Sequence, residues 1–470
     1  MVSMLGDVVP EVTVVIGGVV VLLYALAAPR ARQQGAAWLA LGTVIGAAAI
    51  TLTMLGGVQA LTFFGTYARD DVAAFGRLIV LLATAATILL SVRWFARDPR
   101  HGEYYTLLLY SALGAMLLAG ATDLKEFVVA MLLSSATGFV LAAYHRRSSA
   151  SAEAAIKYYL IGALANSATL MGVALLFGAA GGTTFAALAA GLPAVGGPAV
   201  VGGVSLVVVG LAFKLGAVPA HPWVPDVAQG APAPVAAFIT SVPKVGAFIF
   251  LARLVMVLPA GSVGWEVLAA VIAAATMTLG NLASLWQDDV RRLLGWSAVS
   301  QTGYGLMAIV ALGRSELAIP ALLFFLAAYV PGNFAAFGTV VALRGRTALA
   351  EYAGVARVRP WLAGSLALSF LSFIGVPPLS GFVAKLLLFL VAIQAGFAWL
   401  AIVAAINTVI SIFYYVRVLA PVYFGDAAGA MPTLGRLSDR TTVTMAAILV
   451  LTGVIAEPLV AAFSTATLLH

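Results

Sequence analysis

Cysteine is absent from the 470 residues, which excludes a disulfide, a thiolate-held iron–sulfur cluster and a thioether-linked haem in this chain. Any redox centre it serves must belong to a partner. Histidine is almost absent as well. Of the four, His101, His145 and His470 lie near loops or the terminus, and no Ser, His and acid set or metal-ligand cluster can be assembled, which argues against catalysis on a soluble substrate. Charged residues make up only 9% of the chain, and lysines are few, five against twenty arginines.

What is present is apolar. With 63% hydrophobic residues and a mean hydropathy of +1.07, the chain reads as an all-α polytopic membrane protein. Fourteen apolar spans are expected, near residues 8–28, 35–57, 73–92, 103–121, 124–144, 154–178, 199–228, 232–257, 263–285, 292–312, 316–343, 361–391, 393–421 and 441–463. The arginines test this count, because loops on the cytoplasmic side collect basic residues. Odd-numbered loops hold Arg30, Arg32, Arg93, Arg97, Arg100, Arg146, Arg147, Arg291, Arg292, Arg344, Arg346, Arg357, Arg359, Arg417, Arg436 and Arg440; only Arg69, Arg77, Arg253 and Arg314 fall towards the other side. Odd loops are therefore expected in the cytoplasm and both termini outside, in a multi-pass protein of a bacterial-type inner membrane. The net charge of +7 does not indicate a nucleic-acid partner, since the arginines sit in short loops rather than along one stripe. The first span reads as a retained helix and not a signal peptide. Residues 183–191, inside a Gly-rich linker, are read either as a short interfacial helix or as a loop.

Lys214, Lys244 and Lys385 lie inside the apolar stretches, where a buried charge costs ~2.5–3.5 kcal/mol by insertion scales. Lysine, unlike arginine, can lose its proton on burial. Keeping arginine for the loops and lysine for the interior points to proton transfer within a membrane. The seventh span, LAFKLGAVPAHPWVPD at 211–226, follows Lys214 with Pro219, Pro222 and Pro225; the twelfth, SFIGVPPLSGFVAK at 372–385, places Pro377, Pro378 and Gly381 before Lys385. Proline removes a donor and clashes with the preceding turn, so both helices are expected to break, at a depth where only protein or trapped water can satisfy the freed carbonyls. Spans seven and twelve cross in opposite directions, the pattern of inverted repeats in a transporter. The alternative is that the prolines are packing kinks and the lysines snorkel to the interface.

Lys244, beside Pro243, lies too deep for easy snorkelling and is either a relay or one half of a structural salt bridge. His221, within the seventh-span break, is either a proton relay or a hydrogen-bonding strut. Glu153 and Lys157 have the spacing of an ordinary helical pair, and Asp288, Asp289 and Arg291 form a surface cluster suited to fixing helix ends.

Several stretches taken together resemble the antiporter-like membrane subunits of proton-pumping NADH:quinone oxidoreductase, respiratory complex I, in their subunit N branch. They are EYYTLLL at 103, SAEAAIKYYLIGAL at 151, the seventh-span motif, QGAPAPVAAFITSVPK at 229, RRLLGWSAVSQTGY at 291 and IGVPPLSGFVAK at 374. The resemblance covers about residues 103–420. It implies antiporter-like inverted repeats with broken helices 7 and 12. The organisation it implies is an N-terminal three-helix segment 1–102, a first half 103–257, a second half 258–421, and a C-terminal loop and helix 422–470. By position, Lys214 resembles the family's seventh-helix lysine, Lys244 the connecting lysine of the eighth and Lys385 the twelfth-helix lysine. Two departures stand out. Leu132 occupies the place of a fifth-helix glutamate that pairs with the seventh-helix lysine, which leaves Lys214 without its counter-ion, and Gln301 stands where histidine is common.

The function implied is a proton-translocating membrane-arm subunit with no cofactor in this chain. Flavin, iron–sulfur clusters and quinone are expected on partner subunits, with quinone reached only through the complex and no nucleic acid involved. The alternatives are a subunit of a multisubunit cation/proton antiporter, membrane-bound hydrogenase or ion-coupled uptake complex, or a structural paralogue whose pumping is impaired.

Overall fold

The computed structural model describes residues 5–98, 101–145, 147–195, 197–258, 264–426 and 432–470; Arg100 and Arg146, counted above, lie outside them. The described chain is helical almost throughout. In order the helices are α1 (Val9–Ala27), α2 (Gly35–Met54), α3 (Asp71–Trp94), α4 (Gly102–Gly120), α5 (Leu124–Ala142), α6 (Ser149–Ala180), α7 (Phe185–Val195), α8 (Gly197–Leu215), α9 (Trp223–Gly230) and α10 (Ala233–Ile239). They continue with α11 (Val242–Val257), α12 (Trp265–Ser284), α13 (Val290–Val310), α14 (Ala318–Ala342), α15 (Val355–Val358), α16 (Pro360–Ile374), α17 (Ser380–Gln394), α18 (Ala398–Phe424), α19 (Arg436–Val454) and α20 (Ala456–Ser464). A two-stranded antiparallel hairpin, β1 (Ala60–Thr62) with β2 (Tyr67–Arg69), joins α2 to α3.

Long apolar runs become helices because a bilayer offers no partner for a backbone amide, and a helix satisfies its amides internally. Among the described residues, eleven helices are long and apolar enough to cross a membrane. The other expected spans coincide with α4, α13 and the shorter apolar pair α16 and α17. Helix α13 carries Ser297, Ser300, Gln301 and Thr302 and is buried from Ser297 to Val310, so it is shielded from lipid by its neighbours and need not be uniformly apolar. Within that linker residues 185–195 are helical as α7, so most of 183–191 is helix and not loop.

Helix α10–α11 and helix α14 form the interior and are buried along nearly their whole length. Around them α12 packs along α13, α6 along α8, α4 along α5 and α1 against α4. Outward-facing residues such as Ile16, Leu23, Ile45, Leu164 and Phe413 form the apolar surface expected of a chain solvated by lipid. Helix starts are fixed by side-chain caps. Asp70 accepts from the Ala73 amide at 2.8 Å, Asp123 from Lys125 at 2.6 Å and Asp289 from Arg291 at 2.8 Å.

The four arginines that depart from the loop pattern are each paired with a carboxylate. Arg69 meets Asp7, Arg77 meets Glu11 and Arg253 meets Asp70, each at 2.6 Å, and Arg314 meets Glu266 at 3.4 Å. By contrast, Arg30, Arg93, Arg97 and Arg147 have no carboxylate partner among the described residues. At the arginine-rich end Asp289 caps α13, Asp288 pairs with Arg417, and Lys157 bridges Glu153 at 2.7 Å and Asp226 at 3.1 Å.

Candidate functional site

Helix α8 stops at Leu215, one residue after Lys214, and the chain does not resume helical geometry until Trp223. Gly216 turns the chain at φ +70°, and Gly375 does the same at φ +96° after α16 ends at Ile374. Both turns use backbone space that glycine alone enters without strain. Pro219 and Pro222 lie in the first gap and Pro377 and Pro378 in the second. Pro225 and Gly381 instead fall in the first turns of α9 and α17. A proline there forfeits no helical hydrogen bond, because first-turn amides have no partner within the helix. Gly381 is where the two half-helices touch: its amide donates to Ser372 Oγ at 3.0 Å, and a Cβ there would sit 1.8 Å from the Ser372 carbonyl oxygen. A third interruption separates α10 from α11 at Thr240–Ser241, just before Lys244.

The three lysines are 1%, 2% and 6% exposed in chain order, and none has a carboxylate within ion-pair distance among the described residues. Hydroxyls and carbonyls hold them. Lys214 Nζ donates to Ser135 Oγ on α5 at 3.0 Å. Lys244 Nζ donates to the Ala298 carbonyl at 2.6 Å and to Thr302 Oγ1 at 2.8 Å. The Thr302 hydroxyl has the Leu215 carbonyl, freed by the first gap, within 2.8 Å, so the first gap is tied to Lys244 through one side chain. Lys385 Nζ donates to the Ile374 carbonyl, freed by the second gap, and to Thr408 Oγ1, both at 3.1 Å.

Aromatic rings complete the line. Lys244 Nζ lies 5.7 Å from the Tyr329 ring centre and Lys385 Nζ 4.2 Å from that of Tyr304, distances at which a ring face attracts a cation. Between them is a cavity of about 10 Å³ bounded by Tyr329, Gln301, Ser372 and Lys385, near the smallest space that admits one water. Beyond Lys385, Thr408 shares a hydrogen bond with Tyr304 at 3.1 Å, and an amide cluster follows in which Asn281 binds Asn407, Ser300 and Tyr414. At the third interruption Tyr329 Oη donates to the Thr240 carbonyl at 2.9 Å, and Asn333 donates to Thr240 Oγ1 at 2.9 Å and Ser241 Oγ at 2.6 Å.

Sequence reasoning identified the lysines but not the hydroxyls and amides that hold them. Ser135, Thr302, Thr408, Tyr304 and Asn333 gave no signal beyond being polar in apolar helices. His221 is 8% exposed and packs on Trp296 at 5.6 Å between ring centres, and no hydrogen bond among the described residues joins it to the lysines. Its Nδ1 is buried without a partner among the described residues. Leu132 lies on the outer face of α5, 40% exposed, three residues before the serine that meets Lys214.

Residues 121–411 match the model of the family described as NADH:quinone oxidoreductase/Mrp antiporter, TM. The chain belongs to this family. It is 43% identical over 452 residues to NADH-quinone oxidoreductase subunit N 1 of Streptomyces griseus, covering 95% of each chain. It is similar to a chain of respiratory complex I from Thermus thermophilus with bound aureothin, at TM-score 0.84 and 30% identity, over 96% of this chain and 98% of that one. A chain of the Mrp complex from a Dietzia species shares the fold at TM-score 0.86 and 22% identity, over 98% of this chain and 96% of that one.

Proposed function

We propose that this chain is the antiporter-like, proton-translocating subunit of a complex I-type NADH:quinone oxidoreductase. It would cross a bacterial-type inner membrane fourteen times, with both termini outside, and contribute no redox centre of its own. Flavin, iron–sulfur clusters and quinone would reside on partner subunits of the same membrane-bound assembly. The observation that carries this reading is the buried polar line from Lys214 through Lys244 to Lys385, threaded past two helix gaps whose freed carbonyls meet Thr302 and Lys385.

Each lysine can hold or release a proton where an arginine could not, and each ammonium faces neutral oxygens rather than a carboxylate. Its charge is thus stabilised by groups that water can extend or replace. A change in hydration of the gaps would move protons between neighbouring lysines, driven by redox events on the partners. The test is to purify the tagged chain from its native membrane and identify what accompanies it. Flavin and iron–sulfur subunits with NADH-driven proton uptake support the reading; their absence overturns it.

A second reading, a subunit of a multisubunit cation/proton antiporter, rests on the family model, which spans both groups. Co-purification with antiporter subunits and no redox proteins would select it.

A further inference from the structure

Away from the lysine line, the arginine-rich end of the bundle contains a cavity of about 760 Å³, within the size range of small-molecule sites. Its walls come from four loops distant in sequence: Arg30 between α1 and α2, Arg97 between α3 and α4, Arg147 between α5 and α6, and Arg344 after α14. Asp98 and Glu103 also line it, leaving an excess of two positive charges over the six residues. Nothing in the lysine line uses this cavity.

The arginines are gathered and held there. Arg344 Nη1 donates to the Trp94 carbonyl at 3.0 Å, and its guanidinium lies 4.6 Å from the Trp94 ring centre. Burial and then the charge of Arg97 lower the pKa of Arg344, a sign that like charges crowd this end. Trp94 Nε1 donates to His145 Nε2 at 3.2 Å, and burial followed by the Arg344 charge lowers the His145 pKa, so His145 is a neutral acceptor. The first turn of α6, capped by Ser148, also opens here and adds the positive end of a helix dipole. None of Arg30, Arg97, Arg147 and Arg344 pairs with a carboxylate among the described residues. Convergence of unpaired guanidinium groups from four loops is costly unless an anion joins them, and planar guanidinium forks match the oxygens of phosphate.

We propose that this cavity binds a phosphate group at the membrane surface, held by Arg30, Arg97, Arg147 and Arg344. The group comes either from the headgroup of an anionic phospholipid or from phosphate free in solution. The cavity's place at the arginine-rich ends of the helices, beside an interfacial tryptophan, is where anionic headgroups concentrate.

The experiment uses the intact complex containing this chain, purified in neutral detergent. Native mass spectrometry would follow retention of phosphatidylglycerol against phosphatidylcholine, with and without millimolar inorganic phosphate. Wild type should retain phosphatidylglycerol in preference. In the R97Q/R344Q double variant the affinity should fall roughly 25-fold, at roughly fivefold per basic group, while R357Q, in an arginine-rich loop outside the cavity, should leave it unchanged. Glu103→Gln should tighten retention, a gain that misfolding cannot produce. Displacement by inorganic phosphate in wild type but not in the double variant supports the site with soluble phosphate as occupant. Equal retention of the two lipids together with no phosphate adduct on the wild-type complex, or retention unchanged by both R97Q/R344Q and Glu103→Gln, overturns the proposal.

Discussion

Thr302→Val isolates the contact that distinguishes this arrangement from three separate buried lysines. Valine keeps the shape of threonine and deletes only the hydroxyl, which accepts from Lys244 at 2.8 Å and reaches the freed Leu215 carbonyl at 2.8 Å. Two costs follow. Stranding the Leu215 carbonyl and one Lys244 proton in a buried setting should destabilise the fold by about 1–3 kcal/mol. Removing a group that passes a proton should slow transfer between Lys244 and the first gap by about 10²-fold, the lower end for a positioned relay. A step slowed that far becomes limiting. In inverted vesicles, dye quenching per NADH oxidised should fall, and Thr302→Ser should restore it.

Stability and transfer are separated by a control. Thr339 is buried in α14, off the lysine line, with its hydroxyl 3.1 Å from the Ala335 carbonyl and 3.3 Å from that of Leu362. Thr339→Val should therefore lower stability comparably and leave pumping intact. Wild-type quenching in Thr302→Val, at equal assembly, would show that protons do not pass through this hydroxyl and that the first gap is coupled to Lys244 by some other route.

Lys385→Ala should leave the complex assembled and abolish pumping through this subunit, and Lys385→Arg should not rescue it, because a guanidinium stays charged; the same quenching assay decides. Lys214→Ala should impair pumping less than Lys385→Ala, since among the described residues Lys214 has a single hydrogen bond, to Ser135, whereas Lys385 holds both a freed gap carbonyl and Thr408, and measuring both variants side by side tests the order. Leu132→Glu, on the outer face of α5, should leave the Lys214→Ala phenotype unchanged, and quenching that differs between the single and the double variant in vesicles would refute this. Single cysteines replacing Arg147 and Arg346 should react only with reagent added from the cytoplasmic side and one replacing His470 only from outside, with no native thiol to interfere; labelling of all three from one side would refute the fourteen-span topology.

The lysines and prolines were legible because both are costly where they stand. A charge in an apolar run and a missing donor in a helix each demand a local explanation, and each is visible one residue at a time. The threonines, serines and asparagines that complete the site are cheap in a helix. Thr302 and Thr408 also reach the carbonyl four residues back, as lipid-facing threonines commonly do. Nothing in the sequence separates a hydroxyl serving its own helix from one that also serves Lys244. Only the approach of α13 to the last residue of α8 and to Lys244 on α11 does so.

The same limit explains an asymmetry that motif reading hid. Matching by motif makes Lys214 and Lys385 equivalents, each beside a proline-marked gap, yet by contact Lys385 resembles Lys244 more closely. Side chains in an α-helix lean towards its N-terminus. Lys385 follows its gap, so it leans back into it and meets the Ile374 carbonyl; Lys214 precedes its gap, so it leans away and meets Ser135 on α5. The first gap is left to be reached from the C-terminal side, and Lys244, which also follows a helix interruption, reaches it through Thr302. The order of lysine and proline along the chain therefore decides which gap each lysine can serve. That places Lys214 at the end of the line, facing α5, and Lys244 and Lys385 at the gaps.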